Sequence, residues 1–242
     1  MGIPMSIDVR GAPGPRAAGA AVEAALAVLR SADERFSPFR AESEVRRYAR
    51  PGASASVDLA EILAIGERAR AASGGAFSVW APDGSLDTNG VVKGWAAQRA
   101  ADVLSAHGVT SFCLNAGGDV VTRGEPEPGR PWRTGVRDPW DPRRMLAVVE
   151  QRDGAVATSG TYERGAHVWD GRTGERSLAL VAATVVAGDL TTADVLATCV
   201  LVLGPQSLGW AVEQGARQAF AVLPDGRIVT AAGPDPTQAD AA

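Results

Sequence analysis

The feature that most narrows what this chain can fold into is a change of hydrophobic period near Gly108. Before it, apolar residues recur at helical spacing; after it, short apolar runs are cut by Gly, Pro and Asp, which is the texture of strands and turns. Val22, Ala25, Leu26, Leu29 and Phe36 predict a first amphipathic helix over about Arg16 to Arg35, preceded by the turn-rich GAPGP and by SIDV as a first strand. SPFRAESEVRRYARPG reads as a loop with one short helical turn. Asp58 followed by Glu61 is a capping-box variant ahead of Leu59, Ile62, Leu63 and Ile65, so a second helix is expected to run to about Ala72. Ala96, Ala100, Val103, Leu104 and His107 share one face of a third helix, stopped by Gly108 in the C′ position, with NGVVKG before it as a feeding loop.

In the second half, TSFCLN, AGGD and VVTRG read as strand, tight turn and strand. WRTGVRD, MLAVVEQR, GAVATS, AHVWD and SLALVAATVV are further strand candidates. TTADVLATCVLVLG returns to helical spacing with Gly204 as its stop, and AFAVLPDGRIVTAAG is a final hairpin turning at Asp225-Gly226. The expectation is one α+β domain over residues 1–232, with mixed or antiparallel sheets flanked by helices, and a disordered tail over 233–242.

Composition excludes several classes of function. Hydrophobic residues make up 45% of the 242 positions, enough for a sizeable core, while a net charge of −4 with interspersed signs offers no basic stripe for nucleic acid. Cys113 and Cys199 are far apart in apolar surroundings and form no Cys-x-x-Cys pair, against a zinc site or a disulfide framework. No run approaches the length of a membrane span, and MGIPMSIDVRG lacks the basic and apolar regions of a signal peptide, so the chain is expected to be cytoplasmic and not membrane-spanning.

Three stretches can carry chemistry. NGVVKG lacks the P-loop pattern, yet glycines, helix-start amides and the Lys93 ammonium suit an anion; a solvated lysine beside a glycine turn fits the same residues. Asp194 and Thr198, four apart on a helix, place a carboxylate and a hydroxyl on one face, which suits a hard cation such as Mg²⁺. A first-turn Asp favoured by the helix dipole and a Thr bonded to its own i−4 carbonyl account for the pair equally. His167 stands where a strand enters a polar turn, as a structural residue or a site residue.

Taken in order, MGIPMSIDV, DERFSPFRAESEVRR, SGGAF, LDTNGVVKGWAAQRAAD, LNAGGDVVTRG, ATSGTYER, HVWDGRTG and TTADVLATCVLVLG resemble the ApbE-type FAD:protein FMN transferases over nearly the whole chain. The resemblance implies Mg²⁺-dependent transfer of FMN from FAD, as substrate, to a Ser or Thr hydroxyl in the flavinylation motif of an acceptor flavoprotein, with AMP leaving. It implies metal ligation by Asp194, Thr198 and the backbone oxygen of Gly90, and FAD contacts at Met1, Phe39, Ala76, Phe77, Ser78, Asp87 and Lys93. His167 corresponds to the histidine assigned to the chemistry, and Asp194 joins it as a catalytic residue through the metal. This chain departs from the family pattern at Ser78, where Asp is usual, at Phe39, where Tyr is common, and at Gly171, where Asp-Pro is usual. Those departures keep a second reading open: an FAD-binding protein, or a pyrophosphatase splitting FAD to FMN and AMP without protein flavinylation.

Overall fold

The computed structural model of the protein describes residues 2–48, 50, 52–161 and 168–233. In chain order these form β1 (Met5–Gly11), α1 (Pro15–Phe36), α2 (Glu44–Tyr48), α3 (Val57–Ala72), α4 (Asn89–Ala106), β2 (Ser111–Ala116) and β3 (Asp119–Arg123). There follow β4 (Trp132–Arg137), β5 (Met145–Gln151), β6 (Gly154–Gly160), β7 (Ala182–Ala187), α5 (Leu190–Leu203), α6 (Leu208–Glu213), β8 (Ala216–Val222) and β9 (Ile228–Ala232). Seven strands make one sheet in the order β1-β2-β3-β6-β7-β8-β9, and every neighbouring pair in it is antiparallel. The α+β expectation holds, with antiparallel pairing throughout.

The topology explains how helices reach the sheet. Strands β1 and β2 are neighbours, and α1 to α4 are all inserted between them; α5 and α6 are likewise inserted between the neighbours β7 and β8. Small residues on the facing helices, Ala21 and Ala25 of α1, Ala96, Ala97 and Ala100 of α4, Ala193 and Ala197 of α5, are fully buried in a shared apolar cluster and let the helix axes approach closely. The β4–β5 hairpin pairs only with itself and packs Val136 against Val156, Val186 and Phe220.

Local expectations hold at several ends and fail at others. Gly108, at φ +79°, follows the α4 C-cap, and Gly204, at φ +88°, caps α5, positions where a left-handed backbone favours glycine. The cap of α3 is Ser56, whose hydroxyl accepts from the Leu59 N–H at 3.2 Å; Asp58 instead takes Arg35 at 2.6 Å, and Glu61 pairs with Arg99. The segment NGVVKG is not a loop: α4 begins at Asn89 and includes it. Glycine is a poor helix former, by about 1 kcal/mol against Ala, but tight packing selects it here. A Cβ on Gly90 would stand 3.2 Å from the Phe77 ring, and one on Gly94 would stand 2.7 Å from the Leu190 carbonyl oxygen. Of SLALVAATVV only the part from Ala182 onward is strand, and that strand runs on to Ala187. In AHVWD, Ala166 and His167 lie outside the described residues, and Trp169 makes a single bridge to Arg176.

Candidate functional site

A cavity of about 740 Å³ opens between the first turns of α4, the middle of α5, the Ala76–Ser78 segment and the end of β6. Phe39, Ala76, Phe77, Ser78, Asp87, Gly90, Lys93, Asp194 and Thr198 all line it, so nine of the expected site residues meet at one place. Met1 and His167 lie outside the described residues; their chain neighbours Gly2 and Val168 line the same cavity. No helix among the described residues is long and apolar enough to cross a membrane.

The charged floor is built by contacts distant in sequence. Asp194, only 2% exposed, accepts a hydrogen bond from the Gly94 N–H at 2.9 Å through Oδ2, and its Oδ1 lies 3.1 Å from Lys93 Nζ. The same ammonium pairs with Asp119 at the start of β3. Asp119 is equally buried and accepts from the Thr158 N–H at 3.0 Å. Burial pushes the Asp194 carboxyl up, Lys93 pulls it down and the nearby Asp119 pushes it up again, leaving it well above the usual carboxylate range. Burial on its own would lower Lys93, but Asp194 and Asp119 outweigh it and hold the ammonium above its ordinary value. Lys93 is therefore a paired charge shared by two carboxylates, not a free cation on a loop.

One turn after Asp194, Thr198 Oγ1 lies 3.0 Å from Ser159 Oγ of β6. Asp194 and Thr198 line the cavity together with Gly90, so a carboxylate and a hydroxyl stand side by side there, oxygen donors of the kind a hard divalent cation takes along with water or phosphate oxygens. Two buried carboxylates against one ammonium leave an excess negative charge there, which also fits a cation. Among the described residues there is no group of three or more His, Cys, Asp or Glu side chains placed to hold a metal ion.

Two of the chain's departures meet beside the cavity, Ser78 in its lining and Gly171 packed against the Ala76–Ser78 segment. Gly171 donates its N–H to the Ala76 carbonyl at 2.9 Å, and a Cβ there would lie 2.5 Å from the Gly75 carbonyl oxygen and 2.9 Å from Ser78 Cβ. Ser78 Oγ is engaged with the Trp80 backbone, accepting from its N–H and donating to its carbonyl at 2.9 Å each. Phe77 is buried beneath Gly90, whereas Phe39 is 89% exposed at the rim, near the Arg40–Asp33 ion pair at 2.7 Å. Sequence reasoning assigned no role to Asp119, Thr158 or Ser159. The signals were present in AGGD and TSG, but which carboxylate and which hydroxyl meet Lys93 and Thr198 is decided by strand pairing.

The chain is an antiparallel α+β protein with Asp194, Thr198 and Lys93 on one cavity, and its fold is that of solved flavin transferases. The structure superposes on the apo crystal structure of the Pseudomonas stutzeri flavinyl transferase ApbE with a TM-score of 0.80 and 26% identity, covering 97% of this chain and 93% of that one. It has the fold of the flavin transferase ApbE from Vibrio cholerae, at a TM-score of 0.82 and 21% identity over 97% and 94% of the two chains. Residues 79–222, more than half the chain, match the model of the ApbE family, and the chain belongs to that family. A protein named FAD:protein FMN transferase from Klebsiella pneumoniae (strain 342) is 30% identical over 155 residues, 60% of this chain and 44% of the relative. The chain spans under half the length of the curated relatives it matches.

Proposed function

We propose that this chain binds FAD in the cavity and transfers its FMN half to a Ser or Thr hydroxyl of an acceptor flavoprotein, releasing AMP. The observation that carries the reading is the convergence of buried Asp194 with half-buried Thr198 and Lys93 on a cavity that the Ala76–Ser78 segment also lines. In the proposed reaction the acceptor oxygen bonds to the phosphorus of the FMN half, the bridging P–O bond breaks, and its electron pair leaves on AMP. Such a transfer needs positioning and charge neutralisation more than covalent participation by the protein.

Asp194, Thr198 and the Gly90 carbonyl are the proposed holders of Mg²⁺, which when bound supplies positive charge to the pyrophosphate. Gly94 fixes the Asp194 carboxylate through its N–H, and Ser159 orients the Thr198 hydroxyl. Ala76, Phe77, Ser78 and Asp87 are proposed to seat the flavin and ribityl portion, with Phe39 covering it from the rim and Met1 beside it. His167 is the proposed acceptor of the hydroxyl proton, since a neutral imidazole titrates near working pH; its neighbour Val168 lines the cavity.

The test is incubation with FAD, Mg²⁺ and candidate acceptor flavoproteins, followed by inspection for ultraviolet-fluorescent protein bands and for AMP. A fluorescent acceptor with AMP is the expected result. AMP without a labelled protein identifies a pyrophosphatase, and retained flavin without AMP identifies a carrier.

A further inference from the structure

Asp119 is buried beside the candidate cation site yet does not line the cavity that Lys93 and Asp194 line. It stands behind the lysine. Its carboxylate is fixed by the Thr158 N–H at 3.0 Å and pairs with the Lys93 ammonium, which also reaches Asp194 at 3.1 Å. With Asp194 as its sole counter-ion, the half-buried Lys93 would form a neutral one-to-one pair, and a cation could claim that carboxylate only by leaving the ammonium without a partner, which is unfavourable away from bulk water. A second carboxylate changes that balance, because the ammonium keeps a partner when Asp194 turns to another cation.

We infer that Asp119 is a positioning residue for the cation site, holding the Lys93 ammonium so that the Asp194 carboxylate is free to take a divalent cation. The inference rests on the cation site proposed above. Asp119 acts through Lys93 and touches no ligand. The same arrangement keeps the Lys93 charge at the cavity wall after the cation arrives, where it faces an incoming anion.

The test is Mg²⁺ binding by calorimetry, repeated with Mn²⁺ by electron paramagnetic resonance, on purified protein without FAD. Asp119→Asn keeps an oxygen for the Thr158 N–H and removes the charge; the expected result is a loss of Mg²⁺ affinity of roughly 10- to 100-fold, the range for partners that orient a metal ligand. Adding Lys93→Met to Asp119→Asn removes the competing ammonium and is expected to recover most of that loss. In a Lys93→Met background, Asp119→Asn is expected to change the affinity less than about threefold, a comparison that stands even when Asp119→Asn by itself does not fold. A merely structural carboxylate would lower the unfolding midpoint without this dependence on Lys93. Wild-type Mg²⁺ affinity in Asp119→Asn, or a loss that Lys93→Met does not reverse, overturns the inference. Asp194→Asn separates the two levels: abolished binding there with normal binding in Asp119→Asn defeats this inference alone, and normal binding in Asp194→Asn defeats the cation site as well.

Discussion

The Gly94 N–H donates to Asp194 Oδ2 at 2.9 Å, joining the second turn of α4 to the second turn of α5 across a hundred positions of sequence. The contact exists because residue 94 has no side chain. A Cβ there would stand 2.8 Å from Asp194 Cβ and 2.7 Å from the Leu190 carbonyl oxygen, inside any real contact distance. Gly94→Ala is therefore expected to spread the two helices, destabilising the protein by roughly 1–3 kcal/mol and weakening Mg²⁺ binding together. Denaturant unfolding and Mg²⁺ titration of the same variant check both effects; unchanged stability would contradict the packing.

Ser159 touches Thr198 at 3.0 Å and is expected to act on the cation site only through that hydroxyl. Ser159→Ala leaves Thr198 free to rotate, and an Mg²⁺ affinity lower by about tenfold is expected. Calorimetry on Ser159→Ala and Thr198→Val, alone and combined, checks it: the double variant should be no weaker than Thr198→Val, and additive losses would mean that the serine works independently.

Acidity is expected to weaken cation binding over a definite window. Burial leads the upward push on Asp194, to about 7, so its carboxyl keeps a proton at pH values where an exposed aspartate has lost it. Below that value a cation must displace the proton, and affinity falls as pH falls, approaching about tenfold per unit; above it no proton is displaced and affinity levels off. Mg²⁺ titrations from pH 5.5 to 8.5 test the sign, and affinity that is flat below pH 7 would contradict it.

Gly171 and Ser78 form a matched pair of small residues, with room for no Cβ at position 171. Gly171→Ala is expected to push the Ala76–Ser78 segment and reduce FAD binding by several-fold, while Mg²⁺ binding in the absence of FAD stays near wild type. Flavin fluorescence quenching alongside calorimetry separates the two; equal loss of both would mean general unfolding of the site.

The parts of this site that were legible in the sequence are those whose geometry is local. Asp194 and Thr198 share a face because a helix repeats every 3.6 residues, and that holds wherever α5 packs. The alternation of short strands with Gly, Pro and Asp was enough for an α+β fold with mixed or antiparallel sheets, and strand order settled it as antiparallel. The start of α4 was misread because Gly90 and Gly94 carry a loop signal in isolation, and only the Phe77 ring and the α5 backbone pressing on them explain glycine inside a helix. Ser56 displaced Asp58 as the α3 cap because Arg35, distant in sequence, claims the aspartate. The pairing of Asp119 with Lys93 was illegible for a similar reason. It depends on β3 lying beside β6 and facing α4 while β6 packs against α5, a fact of sheet order that no spacing in the chain encodes.

In the function proposed above, this cavity cleaves the pyrophosphate of FAD with Asp194 as the anchor of its cation. The most direct test is AMP release from FAD in the presence of Mg²⁺ and an acceptor flavoprotein, compared between the wild-type chain and a folded Asp194→Ala variant. The account expects AMP in step with flavin-labelled acceptor for the wild type, and loss of both, by at least a hundredfold, for the variant. Equal AMP release and labelling by Asp194→Ala would contradict it.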